Sequence, residues 1–433
     1  MSGLGKNISV GTSLARALVL LCVLPVLTFA QDARAPQIDT DYRAYIRQDF
    51  EQFNPRYKRL RDERIQRASV LGKKIFDEEK KGGDVACAHQ ILLEIRWLLG
   101  YTADFARIDR RLDDLERVLN QPQQESLARS QDPADGSWGH CYTEWFFKLD
   151  ATYTYAQEQK PTYPLRFLDR VNSPEKLRNY YGSIEVSDIA RNGIDHRREL
   201  NESLAALVRF ILHDQPTGYE WAPGMKSTIM QIVLNQVRNP STGWWGERYK
   251  HDGKVYFVDD LSITFHMLSY LNGNVPDLDK IVDTALALKD LNYPQGWLED
   301  SGYSNHNNMD AVVLFHYGWN SAALSQKKTM AEEIEKMLRW CLTESLQSDG
   351  SFRTTADDDS VEESEYFGTA FLARIGFFDK TRRFWTGQEF PEAQRIRERI
   401  RAYITKHAAT GAAGGEYYQS ALGQLDAARS QKP

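Results

Sequence analysis

Glycine beside an aromatic or small residue recurs at nearly constant spacing, and this regularity constrains the fold more than any other feature. The segments are DGSWG at Gly136, TGWWGE at Gly243, QGWLED at Gly296 and DGSFRT at Gly350. The last three glycines are 53 and 54 residues apart, and Gly136 precedes Gly243 by 107 residues, about twice that period. A period of this length is typical of a chain built from one repeated supersecondary unit.

Each of the last three glycine segments leads through a polar loop into an apolar helix and then an amphipathic one. The apolar members are DDLSITFHMLSYL, NNMDAVVLFHYGW and EESEYFGTAFLARIG; the amphipathic members are LDKIVDTALALKDL, KKTMAEEIEKMLRWCLTESL and PEAQRIRERIRAYITKHA. An apolar helix is buried all round, whereas an amphipathic helix keeps one face in water, so the pattern predicts an inner and an outer set. HCYTEWFFKLDATYTYAQ, after Gly136, fits either an inner helix or a short hairpin.

Earlier pairs are predicted upstream, and the whole pattern indicates an all-α protein. Long polar loops placed before every inner helix favour a closed α/α toroid of five or six helix-hairpin repeats over an open solenoid. We predict an N-terminal helical extension at residues 31–70, the toroid at 71–408 and a C-terminal tail at 409–433.

The N-terminus carries the features of a secretory signal peptide. Lys6 and Arg16 precede an apolar run from Ala17 to Leu27, and the small residues Thr28 and Ala30 follow. We predict cleavage after residue 30, no further membrane-spanning segment, and a periplasmic or secreted mature chain. A lipid anchor at Cys22 is an alternative that requires earlier processing.

Cysteine content and charge narrow the function classes. Cys87, Cys141 and Cys341 remain after cleavage, so one disulfide at most can form, and no Cys and His cluster has zinc spacing. A net charge of -6 argues against nucleic-acid binding, which needs a concentrated positive surface. We predict no cofactor and no metal; the oligomeric state stays open, as does calcium binding by the acidic loop 357–365.

QDPADGSW and QSDGSF resemble the Gln, Gly and Trp repeats of the terpenoid-cyclase and prenyltransferase toroids. Several polysaccharide lyases and hydrolases share that architecture, and the resemblance, from about residue 80 to residue 408, implies fold more than activity. Squalene-type cyclases carry Asp-x-Asp-Asp, whereas this chain has ADDDS with Ala356 in the first position. The zinc site of protein prenyltransferases is also missing from the sequence, so terpenoid chemistry is the third hypothesis.

The loops before the inner helices are predicted to converge on one end of the toroid and to form a site there. The candidate catalytic residues are Tyr303, His306, Asn307, Asp260 and Asp310. The candidate substrate-binding residues are Trp244, Trp245, Arg248, Tyr256, His196, Arg198, Arg353 and Glu363. The structural alternatives are that Asp259 or Asp260 and Asn308 cap helices and that the repeat aromatics pack between helices, although two adjacent tryptophans rarely bury both rings.

Two sugar chemistries suit these residue types. β-Elimination from a uronic acid needs an amide or Arg to neutralise the carboxylate and a His or Tyr to move protons, as Tyr303, His306 and Asn307 could. Glycoside hydrolysis needs two carboxyl groups, and Asp260 with Asp310 or Glu363 could supply them. The sequence therefore predicts an exported lyase or hydrolase acting on a polysaccharide or oligosaccharide, with a noncatalytic glycan- or protein-binding toroid as the main alternative.

Overall fold

The computed structural model describes residues 42–79, 81, 83–120, 128–213, 217–299, 302–354, 361–408 and 415–427. Within these ranges the helices are α1 (Tyr42–Phe53), α2 (Tyr57–Glu79), α3 (Ala86–Tyr101), α4 (Phe105–Asn120), α5 (Trp145–Glu158), α6 (Pro174–Ile184), α7 (Ile189–Asn192), α8 (Arg197–Leu212), α9 (Met225–Gln231), α10 (Leu261–Tyr270), α11 (Leu278–Leu288), α12 (Asn305–Gly318), α13 (Leu324–Trp340), α14 (Val361–Arg374), α15 (Ala393–Ala408) and α16 (Gly415–Ala427). The strands are β1 (Val186–Ser187), β2 (Gly246–His251), β3 (Lys254–Asp259), β4 (Leu298–Glu299) and β5 (Gly302–Tyr303). The predicted all-α class is confirmed in its coarse form, because helices predominate and the strands are short.

The apolar helices form one row of neighbours. Helix α5 packs against α8, α8 against α10, α10 against α12, α12 against α14, and α14 against α16. The amphipathic helices lie behind this row: α9 packs on α8, α11 and α13 on α12, and α15 on α16. Side chains of the row are more deeply buried, so the division into inner and outer helices follows from the apolar and amphipathic patterns.

Three parts of the chain differ from or complete the sequence predictions. The ambiguous segment after Gly136 is helical, as α5. The predicted C-terminal tail contains α16, whose Ala421 and Leu425 are fully buried against α14 and α15. The predicted extension also continues further, because α2 runs to Glu79 and packs against α3 and α4. The predicted signal peptide, residues 1–30, lies outside the described residues.

Each glycine segment forms a tight turn between an outer helix and the next inner helix. Isolated bridges join Arg238 to Trp245, Asn292 to Leu298 and Leu346 to Phe352, so their first members stand at 238, 292 and 346, 54 residues apart each time. The backbone N–H of Trp245 donates to Thr264 Oγ1 at 3.1 Å, and the backbone N–H of Phe352 donates to Glu365 Oε1 at 2.8 Å. Both acceptors belong to the inner helix that follows the turn. The recurring glycine therefore marks a recurring turn that ties each unit to its neighbour.

We expect Gly136→Ala to destabilise the fold more than Gly253→Ala, although both glycines have left-handed φ, +78° and +75°. A methyl carbon at Gly136 would lie 2.0 Å from the carbonyl oxygen of Pro164, whereas nothing lies within 4 Å at Gly253. The φ strain alone amounts to about 1–2 kcal/mol at both sites, and the backbone clash adds to it only at Gly136. Urea unfolding of the two variants measures the difference, and equal losses would contradict the packing argument.

A three-stranded sheet lies beside the beginning of α8. Strand β1 pairs in parallel with β2, and β2 pairs antiparallel with β3, with Gly246 opposite Asp259. The turn of the hairpin at Asp252 and Gly253 uses two left-handed residues, which is typical of two-residue hairpins. Helix α1 packs on this sheet, where Asp49 Oδ1 lies 2.9 Å from His251 Nδ1. The hairpin leads directly into α10.

Two large apolar clusters and a small third one, formed by Tyr42, Tyr249 and Val258, hold the described elements together. The largest contains the inner helices from α5 to α16 and their outer partners, and the second lies among α1 to α5 and α7. A disulfide joins Cys87 of α3 to Cys141, and Cys341 is a buried free thiol. The prediction of at most one disulfide with one remaining thiol is confirmed, and only the tertiary structure identifies the partners.

Candidate functional site

The candidate site lies where α8, α10 and α12 begin, and its centre is an ion pair between Arg197 and Asp260. Arg197 is the first residue of α8, and its Nε donates to Asp260 Oδ2 at 2.5 Å. Asp260 is the N-cap of α10, because its Oδ1 accepts from the backbone N–H of Ile263 at 3.0 Å. Both oxygens of a carboxylate that is 1% exposed are therefore bonded. The pair joins two neighbouring inner helices at their N-termini.

Aromatic side chains surround the Arg197 guanidinium. Its Nη1 donates to the Tyr101 hydroxyl at 3.0 Å, and its central carbon lies 5.5 Å from the ring centroid of Tyr293. Tyr42, at the start of α1, is close enough to Arg197 and Asp260 for both charges to act on the pKa of its phenol, although burial is the main reason why that pKa is raised. These contacts orient the arginine and separate it from bulk water.

Asp310 is a second carboxyl group near Asp260, and its environment is different. It lies in the second turn of α12, is 0% exposed, and neither carboxyl oxygen has a hydrogen-bond partner among the described residues. Burial raises the pKa of Asp310 well above its ordinary value, and the negative charge of Asp260 raises it further. The two carboxyl groups thus differ in environment: Asp260 is ion-paired with Arg197, whereas Asp310 has no partner among the described residues and its pKa is raised by burial and by the charge of Asp260.

Rings from α12 and α14 form the next wall of the site. His306 lies one helical turn before Asp310 on the same face of α12, and it stacks on Phe367 with ring centroids 3.9 Å apart. The ring of Tyr293 lies 6.5 Å from that of His306. Asp310 influences the phenols of both Tyr293 and Tyr366, whose pKa values are raised mainly by burial. The aromatic groups therefore lie around Asp310 on more than one side.

Further along α8 and α10 the inner surface carries cations. Burial is the main reason why the pKa of His266 is lowered to about 3, and the nearby side chains of Arg209, His306 and Arg198 contribute to the same shift, so this histidine is neutral. Its Nδ1 lies 2.8 Å from the Tyr270 hydroxyl. Arg209 is itself enclosed, with Asp150 at 3.0 Å. Side chains of α5, α8, α10 and α12 thus share one polar region.

Among the predicted catalytic residues, the structure brings Asp260, Asp310 and His306 together and places Tyr303 and Asn307 elsewhere. Tyr303 lies on β5 with its ring against Trp340 of the outer helix α13, 6.3 Å between centroids. Asn307 donates from Nδ2 to Glu299 Oε1 of β4 at 2.6 Å. The trio proposed for β-elimination is therefore not assembled, because residues 303, 306 and 307 point in different directions.

The expectation that one ring of the tryptophan pair stays exposed is wrong. Trp244 and Trp245 are both 0% exposed, and each indole N–H has a backbone acceptor, Ile281 at 3.0 Å and Val233 at 2.6 Å. The two rings occupy separate slots because successive residues of the turn point to opposite sides. Neither ring offers a face for a sugar, so the alternative of packing between helices applies to both.

The remaining predicted binding residues are distributed between the hairpin, the helix starts and a loop. Arg248 lies 3.7 Å from Glu185, and Tyr256 stacks on Tyr249 with 5.3 Å between ring centroids. His196 lies 3.3 Å from Glu199. Two others belong to α8 and α14, where Arg198 pairs with Glu202 at 2.7 Å and Glu363 is buried. Arg353 is exposed. Arg198 also acts on the inner surface, where its charge lowers the pKa of His266.

The structure also decides between capping and function for three other residues. Ser304, not Asn308, caps α12, because its Oγ accepts from the backbone N–H of Asn307 at 3.2 Å. Asp259 turns away from the site and accepts from Thr242 at 2.7 Å, and burial raises its pKa to about 6. Asn308 is 0% exposed with both polar side-chain atoms unpaired within the described part of the chain.

Sequence reasoning missed Arg197 and Tyr293. Arg197 stands between His196 and Arg198, two residues that were singled out, and only the direction of its side chain distinguishes it from them. Tyr293 precedes Pro294 in the loop before α12, and no spacing rule connects it to α8.

In the ranges that the structure covers, no group of three or more His, Cys, Asp or Glu side chains is arranged to hold a metal ion. The helices of those ranges are all too short or too polar to cross a bilayer. The acidic loop 357–365 begins outside the described residues, which resume at 361.

Comparison with protein-family models, with curated proteins and with solved structures finds no match for this chain.

Proposed function

We propose that the chain is an exported glycoside hydrolase whose inner helices close into an α/α toroid, with Asp310 and Asp260 as its carboxyl pair. The observation that carries the proposal is Asp310: a fully buried carboxyl group with two unpaired oxygens among the described residues, on which the charge of the ion-paired Asp260 acts. An unpaired buried carboxyl group destabilises a fold, so it is retained where function needs it.

The two carboxyl groups suit the two roles that hydrolysis of a glycosidic bond requires. Asp310, whose pKa burial raises well above its ordinary value, is the candidate general acid, which protonates the leaving oxygen. Asp260 is the anion and is the candidate base or nucleophile, oriented by Arg197 and by the N-terminus of α10. Environments that separate the pKa values of two neighbouring carboxyl groups are typical of acid–base pairs.

Aromatic groups around the pair suit a sugar ring. Tyr293 and Tyr366 are partly exposed and lie near Asp310, so their rings are candidates for stacking on a pyranose. His306 is the candidate for a hydrogen bond to a ring hydroxyl, because its ring is held in place by stacking on Phe367.

A lyase is the second candidate, and His306 favours it. A histidine close to Arg197 and Tyr293 could remove a proton α to a carboxylate that Arg197 neutralises. This mechanism would use Arg197 and Tyr293 rather than Asn307 and Tyr303. It differs from hydrolysis in leaving an unsaturated product.

The test is a panel of neutral and uronic-acid oligosaccharides and polysaccharides, incubated with residues 31–433 while reducing ends and the ultraviolet absorbance of unsaturated products are followed together. Reducing ends without absorbance support a hydrolase, and both signals together support a lyase. Binding in a parallel calorimetric titration without either signal would overturn catalysis and favour a glycan-binding protein. Absence of cleavage and of binding across the panel would contradict the carbohydrate proposal.

We expect Tyr303→Phe to leave the rate of cleavage unchanged within about twofold, because the Tyr303 ring packs on Trp340 of the outer helix. His306→Ala, on the inner face, is expected to lower kcat/KM by at least about tenfold. The same cleavage assay measures both variants. A large loss in Tyr303→Phe would restore the original elimination trio and contradict the present assignment.

A further inference from the structure

A second pair of carboxyl groups, those of Asp195 and Glu247, lies near Arg197. Asp195 stands two residues before Arg197, and Glu247 is the second residue of β2. Asp195 is 4% exposed and Glu247 is 1% exposed. The two carboxyl groups are close enough for each to act on the pKa of the other. Neither residue has a role in the hydrolysis proposed above.

Backbone and hydroxyl groups hold this pair in a fixed place. Ser187 Oγ donates to Glu247 Oε2 at 2.9 Å and accepts from the backbone N–H of His196 at 2.8 Å. The backbone N–H of Arg197 donates to Asp195 Oδ1 at 2.9 Å. The contacts thus connect β1, β2 and the first turn of α8 in one buried network.

If Asp195 and Glu247 are both ionised, no proton is available for a hydrogen bond between their carboxyl groups. Oε1 of Glu247 is buried and has no N–H or O–H donor among the described residues, and the Asp195 carboxyl group is near enough to act on the pKa of Glu247. Two carboxylates can approach each other in a buried site only if one proton lies between them. Burial raises the pKa of Glu247 well above its ordinary value, the charge of Asp195 raises it further, and burial also raises the pKa of Asp195.

The groups that act on the pair do not remove the need for this proton. Arg197 and His196 face it from α8, and Tyr57 of α2 faces Asp195. Arg197 is the permanent cation among them, and its guanidinium is already bonded to Asp260. The positive charge of Arg197 therefore acts on both Asp260 and the Asp195–Glu247 pair. Because it already neutralises Asp260, it can offset a negative charge on the pair only in part.

We infer that Asp195 and Glu247 share one proton and act as a positioning pair, which fixes the first turn of α8 against β2 so that Arg197 meets Asp260. The shared proton turns the repulsion between the two carboxyl groups into a hydrogen bond. The backbone N–H of Arg197 donates to Asp195 and its side chain donates to Asp260, so the pair fixes the residue that holds Asp260. The site consequently holds two protons on four carboxyl groups, one on this pair and one on Asp310. The inference concerns Arg197 and holds whichever reaction the site performs.

The experiment is infrared spectroscopy of the full mature chain in deuterated buffer at neutral pH, where protonated carboxyl groups absorb apart from carboxylates. Glu247→Gln keeps the shape and neutrality of the protonated residue, and we expect it to remove one protonated-carboxyl component. Asp310→Asn should remove a different component. Glu333→Gln is the matched control: Glu333 is 4% exposed, and its partners Lys336 and Lys289 are cations, so this variant should leave the protonated-carboxyl region unchanged.

A second readout follows the melting temperature between pH 5 and pH 9. A carboxyl pKa that folding raises gives stability that is complete below the unfolded value and is lost as the pH rises through the folded value. The melting temperature of Glu247→Gln relative to wild type should therefore increase with pH by a few degrees, while that of Glu333→Gln should not. If Glu247→Gln does not fold, Asp195→Asn is used, since it removes the same shared proton and keeps an acceptor for the Arg197 N–H.

An unchanged infrared component in these variants, or a melting difference independent of pH, would overturn the shared proton. If both variants fail to fold, the wild-type spectrum still tests the inference. A wild-type spectrum with a single protonated-carboxyl component, which disappears in Asp310→Asn, would mean that Asp195 and Glu247 hold no proton. A failure of the glycan panel has no bearing on these results, so the two proposals can fail separately.

Discussion

Asp310→Asn is expected to abolish hydrolysis and at the same time to make the folded protein more stable at neutral pH. Removing a general acid lowers kcat by about 10²- to 10⁴-fold. The asparagine has the shape of the protonated carboxyl group and is neutral in both the folded and the unfolded chain, so the variant avoids the stability that the wild type loses when its unfolded carboxyl group ionises. A loss of activity with a gain of stability is typical of a residue kept for function.

The pH dependence of stability identifies the origin of the gain. Folding raises the pKa of Asp310 above its ordinary value of 3.8. The wild-type protein is therefore least affected below that value and loses stability as the pH rises towards the folded pKa, because the unfolded chain releases the proton that the folded chain keeps. Asp310→Asn lacks this loss, so its advantage over wild type should be small at pH 4 and larger at pH 8.

Thermal unfolding at pH 4 to 8, together with the cleavage assay, measures both effects. Glu333→Gln is the control, since it changes a buried carboxylate that is paired with lysine on an outer helix. We expect that control to lose stability and keep its activity. An Asp310→Asn variant that is less stable than wild type at every pH would show that the carboxyl group has a bonding partner and would remove the basis of its assignment as an acid.

Arg197→Met is expected to destabilise the protein by about 3–5 kcal/mol, because it leaves Asp260 buried without its cation. The Arg197 side chain is 13% exposed and that of Asp260 is 1% exposed, so water cannot replace the lost charge. The variant should also lose activity, since Asp260 would be neutral or misplaced. Urea unfolding at neutral pH measures the loss of stability.

Two further variants separate the ion pair from general effects of removing an arginine. Arg339→Met removes a cation whose side chain is 75% exposed and which lies 3.5 Å from Glu335, and it should change stability by less than about 1 kcal/mol. Adding Asp260→Asn to Arg197→Met should recover part of the stability, because an amide can still cap α10. A double variant as unstable as the sum of the two single changes would mean that the residues act independently.

The helical pairs could be predicted because their period and amphipathicity are local properties. The apolar residues of α4 fall on one face, with Ile108, Leu112 and Leu115 fully buried, and this periodicity is visible in the sequence. The hairpin of β2 and β3 was missed because its strands contain charged residues that face α8 and α1 rather than a second sheet. Helix α16 was missed because it follows a glycine- and alanine-rich segment that resembles a tail.

The site could be predicted only in part. Asp260 was found because an acidic residue before an apolar helix is a cap, and His306 and Asp310 because polar residues inside such a helix need a reason. Tyr303 and Asn307 were grouped with them from proximity in sequence. The short pairing of β4 with β5 turns Tyr303 towards α13, and Asn307 lies on a different face of α12 from His306.

The sequence by itself determined the order of the helices, their inner and outer sets and the recurring glycine turn, because these depend on local periodicity and backbone conformation. The tertiary structure alone decided that Arg197 meets Asp260, that Asp310 is buried without a partner among the described residues, and that Asp195 lies near Glu247. Each of these contacts joins residues about 50 or more positions apart, and the pKa of each carboxyl group depends on burial and on those neighbours. Local sequence patterns carry no record of such distances.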